Sequence, residues 1–264
     1  MRVIIEKNYE KMSEKAADFI ASQVRRKPNS VLGLPTGGTP IGTYKELIRR
    51  YNEENLDFAH VTTFNLDEYY GLPASHPQSY YQYMKQNFFD HINISFTRIH
   101  IPNGMVRMDE VDAYCANYEE LMKEAGGIDL QLLGIGGNGH IGFNEPGSSL
   151  GSRTRIKTLG QETRKDDSRF FNNDIEKVPK AALTMGVATI LDARTCLMLA
   201  SGKGKAEAVK QAIEGPLTSQ TTGSALQLHS HAIAIIDEDA ASALERKDYY
   251  IYTEKMRAEL EGDY

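Results

Sequence analysis

Ser30-Val31-Leu32-Gly33-Leu34-Pro35-Thr36-Gly37-Gly38-Thr39-Pro40-Ile41 decides the fold. Its first residues form a short apolar run bounded by turn residues, which predicts a buried strand. The glycines free the backbone for a tight turn. Thr39-Pro40 predicts a helix start, with Thr39 as N-cap and Pro40 at the first helical position. Ile41, Tyr44, Leu47, Ile48 and Tyr51 then recur at helical spacing to about Asn52. Strand, glycine turn and helix in that order make one βα unit of a parallel sheet.

The alternation extends in both directions. Arg2–Ile5 predicts a strand and residues 8–26 a helix, with Met12, Ala16, Phe19, Ile20 and Val24 on its apolar face. Val61–Leu66 predicts a strand; Ser79–Phe89 and Asp109–Ala125 predict helices. In Ile128–Ile135 the run Leu130-Gln131-Leu132-Leu133 suggests a central strand. Arg155–Leu159 adds a strand, and Ala181–Leu191, Cys196–Ala200, Ala206–Ile213 and Ala232–Asp237 continue the pattern. The expected fold is α/β: a mostly parallel, doubly wound, Rossmann-like sheet with helices on both faces, in a single domain over residues 1–264. Residues 144–180 are the least regular and are rich in Ser, Arg, Lys and Asp, which suggests an irregular lid over a site.

Composition narrows the function. The 264 residues carry 36 acidic and 30 basic side chains, a net charge of −6. That balance argues against nucleic-acid binding through a general basic surface, yet allows one small anion site. Hydrophobic residues at 41% and charged residues at 25% are ordinary globular proportions and argue against disorder. No window holds the roughly 18 apolar residues of a membrane helix, and the apolar run at the start is too short for a signal peptide. Cys115 and Cys196 lie far apart without a CxxC, which excludes a disulfide framework or a Cys-rich zinc site and fits free thiols in a reducing cytoplasm.

In an open parallel sheet, ligands gather beyond the carboxyl ends of the strands, so the segments there carry the chemistry. Pro35-Thr36-Gly37-Gly38-Thr39-Pro40 offers backbone N–H groups, two hydroxyls and the positive end of a helix; it reads as a phosphate cradle or as a tight βα turn that binds nothing. It is not a Walker P-loop. Asp67-Glu68-Tyr69-Tyr70-Gly71 supplies either a general base, raised in pKa by burial under aromatics, or a capping carboxylate beside a solvated one. Gly134, Gly136 and Gly139 match G-x-G-x-x-G, but Asn144-Glu145-Pro146 follows too soon for the long helix of a dinucleotide site. The notable feature there is His140 five residues before Glu145 on a glycine-rich turn, an imidazole and a carboxylate suited to moving protons near neutral pH.

Ser201-Gly202-Lys203-Gly204-Lys205 is a second glycine loop before a helix, whose lysines either bind phosphate or are solvated. Ser152–Lys157, with Arg164, Lys165 and Arg169, is locally basic, which by itself says little. His229 and His231 have no partners at metal spacing and receive no ligand role. No G-x-S-x-G nucleophile motif is present. The sum is an enzyme without metal or cofactor that acts on a small phosphorylated molecule by proton transfer.

These segments also carry a resemblance. Leu32–Pro40, Phe64–Tyr69 with Gly71-Leu72-Pro73, His76-Pro77 with Ser79-Tyr80-Tyr81, and Asn87–His91 are the first of them. Gly139-His140-Ile141 with Phe143–Pro146, Ser152–Leu159, Ser168–Phe171 and Leu226–His229 complete the set. In this order they resemble the glucosamine-6-phosphate deaminase (glucosamine-6-phosphate isomerase) family over nearly the whole chain. The resemblance implies conversion of glucosamine 6-phosphate to fructose 6-phosphate and ammonia in amino sugar metabolism, by a cytoplasmic enzyme classed as a hydrolase. It implies that His140 opens the pyranose ring, assisted by Asn138 and Glu145, and that Asp67 moves the proton from C2 to C1. Gly38, Thr39, Arg169 and Lys205 would hold the 6-phosphate. Some members carry Asp where this chain has Asn138, so Asn138 is expected to orient His140 and Glu145 to supply the charge.

The resemblance further implies a homo-oligomer; some members are hexamers activated by N-acetylglucosamine 6-phosphate, where Arg155, Lys157 and Thr158 match the positions used and Ser148 and Ser149 lie nearby, while other members keep much of this segment and are not allosteric. Two rivals remain: a 6-phosphogluconolactonase of similar fold, and a non-catalytic sugar-phosphate sensor. Asp67-Glu68-Tyr69 followed by His76-Pro77 favours the deaminase over the first; the presence of Asp67, His140 and Glu145 argues against the second.

Overall fold

A computed structural model describes residues 1–261. In chain order the elements are β1 (Arg2–Glu6), α1 (Tyr9–Arg26), β2 (Val31–Leu34), α2 (Ile41–Glu54), β3 (Thr62–Asn65), β4 (Asp67–Tyr69), α3 (Tyr80–Asn87), β5 (Ile99–His100) and α4 (Val111–Glu124). Then follow β6 (Leu130–Gly134), β7 (Arg155–Thr158), α5 (Gln161–Asp167), β8 (Ala181–Thr184), α6 (Val187–Leu191), β9 (Thr195–Ala200), α7 (Ala206–Ile213), β10 (Ala232–Asp237) and α8 (Lys247–Glu261).

Seven strands form a parallel sheet in the order β1-β10-β9-β6-β2-β3-β5, with β6 at its centre. The chain builds outward from β2 to β3 and β5, then returns to the other side of β2 with β6. The strand order therefore reverses between β2 and β6, which is where an open α/β sheet leaves a crevice. The loop 35–39 after β2 and the loop 135–145 after β6 flank it.

Strand alternation sends neighbouring residues to opposite faces, and both faces are covered. Leu132, Leu197 and Ile235 pack with Met12, Ile20 and Leu47 on one side. Leu133, Met198 and Ile236 pack with Tyr118, Met122 and Val209 on the other. This is why the central strands read as continuous apolar runs, and the helices lie on both faces as expected.

A second, three-stranded antiparallel sheet, β4-β8-β7, stands at the carboxyl end of the first. Leu66 joins the two: its N–H donates to Leu34 O in the large sheet, and its carbonyl accepts from Met185 N just past β8. Four sequence expectations change here. The strand at 155–159 is present but belongs to this small sheet. Residues 181–191 divide into β8 and the short α6. The helix after the first glycine turn begins at Ile41 behind Pro40, whose carbonyl accepts the first helical bond from Tyr44 N, so Thr39 is not its cap. The segment 144–180 is also more regular than its composition suggests, holding β7, α5 and two 3₁₀ turns at Ser168–Phe170 and Ile175–Lys177.

Candidate active site

A cavity of about 550 Å³ opens at the switch point, lined by Gly38, Thr39, Asp67, His140, Arg169 and Lys205 among others. Segments separated by more than 160 residues thus meet at one place.

The loop 35–39 turns at Gly37, whose φ of +91° suits glycine. Gly38 faces open space, so nothing obstructs a ligand from its backbone. Three tyrosines hold loop carbonyls: Tyr44 Oη donates to Pro35 O (2.6 Å), Tyr83 Oη to Gly37 O (2.6 Å), and Tyr9 Oη to Gly38 O (3.3 Å) while accepting from Gly42 N (2.7 Å). With its carbonyls so engaged, the loop keeps N–H groups and the Thr39 side chain for the cavity.

Lys205 approaches from the loop after β9. Asp237, at the end of β10, holds that loop: it accepts from Ser201 Oγ (2.5 Å), Gly202 N (3.0 Å) and Ala240 N (2.8 Å). Burial pulls the Lys205 ammonium below its ordinary range, opposed by Asp166. Lys203 is exposed and does not line the cavity, so of the two lysines only Lys205 has this place. The basic stretch separates likewise. Arg153 pairs with Glu119 and Asp192, and Arg164 donates to the Ile175 and Val178 carbonyls. Arg169 lines the cavity and lies against the Phe170 ring, 4.7 Å from its centroid.

Asp67 opens β4. Strand alternation puts Asp67 and Tyr69 on one face, both lining the cavity, and Glu68 on the other. Burial pushes the Asp67 carboxyl well above the usual carboxylate range, with Glu68 and Asp167 adding to the rise. Glu68 is pushed up to about 7 by burial, against the pull of three backbone N–H bonds. Tyr69 Oη donates to Asp167 Oδ2 of α5 (2.7 Å), joining β4 to the segment over the site. Tyr69, Phe143, Phe171 and Tyr80 form an aromatic cluster there.

His140 sits on the loop after β6. Its Nδ1 lies 2.7 Å from Asn138 Oδ1, which can only accept, so Nδ1 carries the proton and Nε2 keeps its lone pair. Among the described residues Nε2 has no hydrogen-bond partner. Asn138 Nδ2 donates to Glu145 Oε2 (3.3 Å), and Glu145 Oε1 accepts from Gly160 N (3.0 Å). Glu145 Oε2 is 3.9 Å from His140 Nδ1. The order is therefore carboxylate, amide, imidazole. Burial lowers the His140 pKa, Glu145 raises it and Lys205 lowers it. A Cβ on Gly136 would stand 2.3 Å from His140 Cε1, so the ring needs glycine there.

The remaining positions lie apart from the cavity. Arg155 Nη1 donates to Asn144 Oδ1 (2.9 Å), next to Glu145 in sequence. Lys157 is half-buried; Ser149 and Thr158 are exposed; Ser148 is buried. His229 bonds Ala193 O (2.7 Å) and accepts from His231 N, and neither histidine lines the cavity. Sequence reasoning missed Tyr9, Tyr44, Asp167 and Asp237. None lies in a glycine-rich turn, and their contacts span 9 to 98 residues of chain.

Comparison with known proteins gives the site its family. Residues 5–234 match the model described as glucosamine-6-phosphate isomerases/6-phosphogluconolactonase. A glucosamine-6-phosphate deaminase of Alkaliphilus metalliredigens is 54% identical over 245 residues, 93% of this chain and 100% of that protein. One of Clostridioides difficile is 50% identical over 249 residues, 94% and 99% of the two chains. A solved structure described as a monomeric glucosamine-6-phosphate deaminase superposes with a TM-score of 0.89 at 50% identity, over 92% of this chain and 100% of that one. A 6-phosphogluconolactonase from Trypanosoma brucei reaches a TM-score of 0.72 at 18% identity, over 92% and 98%, a likeness of fold alone. The relatives near 50% identity are deaminases, so isomerase and deaminase replace hydrolase as the expected class. With well over half its length matched, the chain belongs to the glucosamine-6-phosphate isomerase and 6-phosphogluconolactonase family.

Proposed function

We propose that the chain converts glucosamine 6-phosphate to fructose 6-phosphate and ammonia. The observation that carries this is one cavity that joins a buried, uncompensated carboxylate at Asp67, an imidazole with an unbonded Nε2 at His140, and an amide loop with Lys205. Deaminases at 50–54% identity over the whole length of the relatives support the same reading.

His140 Nε2 takes the proton that opens the ring, and Asn138 holds the tautomer that leaves this nitrogen basic. Glu145 steadies the charge through Asn138. Asp67 abstracts the C2 proton of the open sugar, giving the enolamine, and returns it at C1, giving an imine at C2; water adds to that carbon and ammonia leaves, which yields the ketose. Each well-placed acid or base is worth about 10²–10⁴-fold. Gly38, Thr39, Arg169 and Lys205 hold the 6-phosphate, whose binding orients the reacting carbons. Residues 144–180 serve as the lid, fastened by the Tyr69–Asp167 bond. The chain acts in the cytoplasm, a reading supported by two free, buried cysteines.

The test mixes purified chain with glucosamine 6-phosphate and follows fructose 6-phosphate and ammonia together. Equal yields, largely lost in Asp67→Asn, are expected. A folded chain that leaves this substrate intact and opens 6-phosphogluconolactone overturns the reading.

A further inference from the structure

Helix α3 touches both halves of the cavity. At its start the Glu68 carboxylate, 2% exposed, accepts from the backbone N–H groups of Tyr80 (3.0 Å) and Tyr81 (3.1 Å), as well as from that of Tyr69 (2.9 Å). The first N–H groups of a helix have no partner within it, so one carboxylate satisfies two of them and ties α3 to β4. About one turn further on, Tyr83 Oη donates to Gly37 O (2.6 Å). Tyr80, Tyr83 and Asn87, at i, i+3 and i+7, share one helix face and line the cavity. Met84 is buried in the core, and Phe88, just beyond the helix, stacks on Tyr44 with ring centroids 4.9 Å apart. The helix therefore cannot slide between its two attachments.

Asp67 is the neighbour of Glu68, and Gly38 and Thr39 are the next residues after Gly37. We propose that α3 is a strut that sets the distance between the general base and the phosphate loop, with Glu68 and Tyr83 as the positioning residues at its two attachments. The inference rests on the deaminase reading and deepens it. A substrate held by its phosphate at one end and attacked at C2 near the other gains from both only when the spacing fits. A misplacement of about 1 Å costs on the order of 10²-fold.

The test compares a ligand that fills one end with a ligand that spans both. Inorganic phosphate is the first. The second is 2-amino-2-deoxyglucitol 6-phosphate, the acyclic alcohol of the substrate, which lacks the carbonyl and does not react. Tyr83→Phe and Glu68→Gln each detach one end with little change of shape. In either variant the Ki of phosphate should stay within about twofold, while the Ki of the acyclic analogue rises and kcat falls by about tenfold or more. Glu68→Gln reads the strut from its other end should Tyr83→Phe fail to fold. If phosphate and analogue weaken together in Tyr83→Phe, the tyrosine braces only its own loop and the strut is overturned. A fall in kcat with an unmoved analogue Ki in Glu68→Gln also overturns it. A folded wild-type chain without turnover overturns the deaminase reading, and the strut with it, before any variant is made.

Discussion

Two buried aspartates mark the two ends of the sheet. Asp129, 5% exposed, lies at the amino end, just before β6, and its carboxylate is fully engaged. It accepts from Lys27 Nζ (2.8 and 2.9 Å), Arg194 Nη1 (3.0 Å) and Val31 N (2.8 Å). Asp67, 7% exposed, lies at the carboxyl end with Glu68 and Asp167 nearby and, among the described residues, no cation bonded to it. Equal burial therefore has opposite meanings. A paired buried charge holds segments together; an unpaired one is costly, rises in pKa and stays available for a proton. The lysines repeat the contrast. Lys27 is bonded to Asp129, whereas Lys205 is lowered by burial and has no hydrogen-bonded carboxylate among the described residues.

The largest effects test the aspartate pair. Asp67→Asn should lower kcat by about 10²–10⁴-fold without loss of stability. Asp129→Asn should keep kcat at low temperature and lose about 2–3 kcal/mol in urea unfolding, because hydrogen bonds to a charged group are weakened. The pH dependence of stability also separates the two. Asp67 binds its proton more tightly when folded than when unfolded, so wild-type stability falls as pH rises from the ordinary carboxylate range toward the raised folded value. Asp67→Asn should show a smaller fall, because Glu68 and Asp167, also raised by burial, still contribute to it. A wild-type chain that parallels Asp67→Asn at every pH would remove the contrast.

The lysines follow. Lys205→Ala should raise KM for the sugar phosphate by roughly 10–100-fold, the worth of about 1.5–3 kcal/mol in one charged contact, with little change in unfolding. Lys27→Ala should leave KM unchanged and cost about 1 kcal/mol, since this lysine is partly exposed and Asp129 keeps Arg194 and Val31 N. Equal KM effects for the two would show that exposure rather than pairing decides the role.

How far these residues could be read beforehand depends on how continuously apolar the element that carries them is. β2 and β6 were legible because a strand covered on both faces is apolar at successive positions, and the glycine loops after them follow directly. Of the small sheet only β7 was read as a strand, at 155–159; β4, three residues just past Val61–Leu66, was read as a strand-end loop, and β8 ran unseparated into α6 within 181–191. That gap left Asp67 and Glu68 unresolved as base and cap. Once 67–69 is a strand, alternation separates them: Asp67 and Tyr69 face the cavity while Glu68 turns to α3. Asp129 showed no sign of its place because its partners Lys27 and Arg194 lie 102 and 65 residues away. The C-terminal α8 carries Tyr249, Ile251, Tyr252 and Leu260 on its exposed surface, so its apolar residues do not trace a single buried stripe.

The smallest effect tests whether the carboxyl end depends on staying short of charge. His140 Nδ1 donates to the neutral amide of Asn138, and the Glu145 carboxylate stands behind at 3.9 Å. Burial already draws the imidazole down, which keeps Nε2 free to take a proton. Asn138→Asp places a carboxylate in direct contact with the ring and favours the imidazolium. The acidic limb of kcat/KM, which reports loss of the neutral ring, should then move up by about 1–2 pH units. The new carboxylate also faces Glu145 across the present 3.3 Å bond, and repulsion between the two keeps the movement at the lower end of that range. Turnover well above the limb should change little, because the orientation of the ring is preserved. An unmoved limb would mean that Glu145 alone fixes the charge of the imidazole, and that the amide contributes geometry and nothing else.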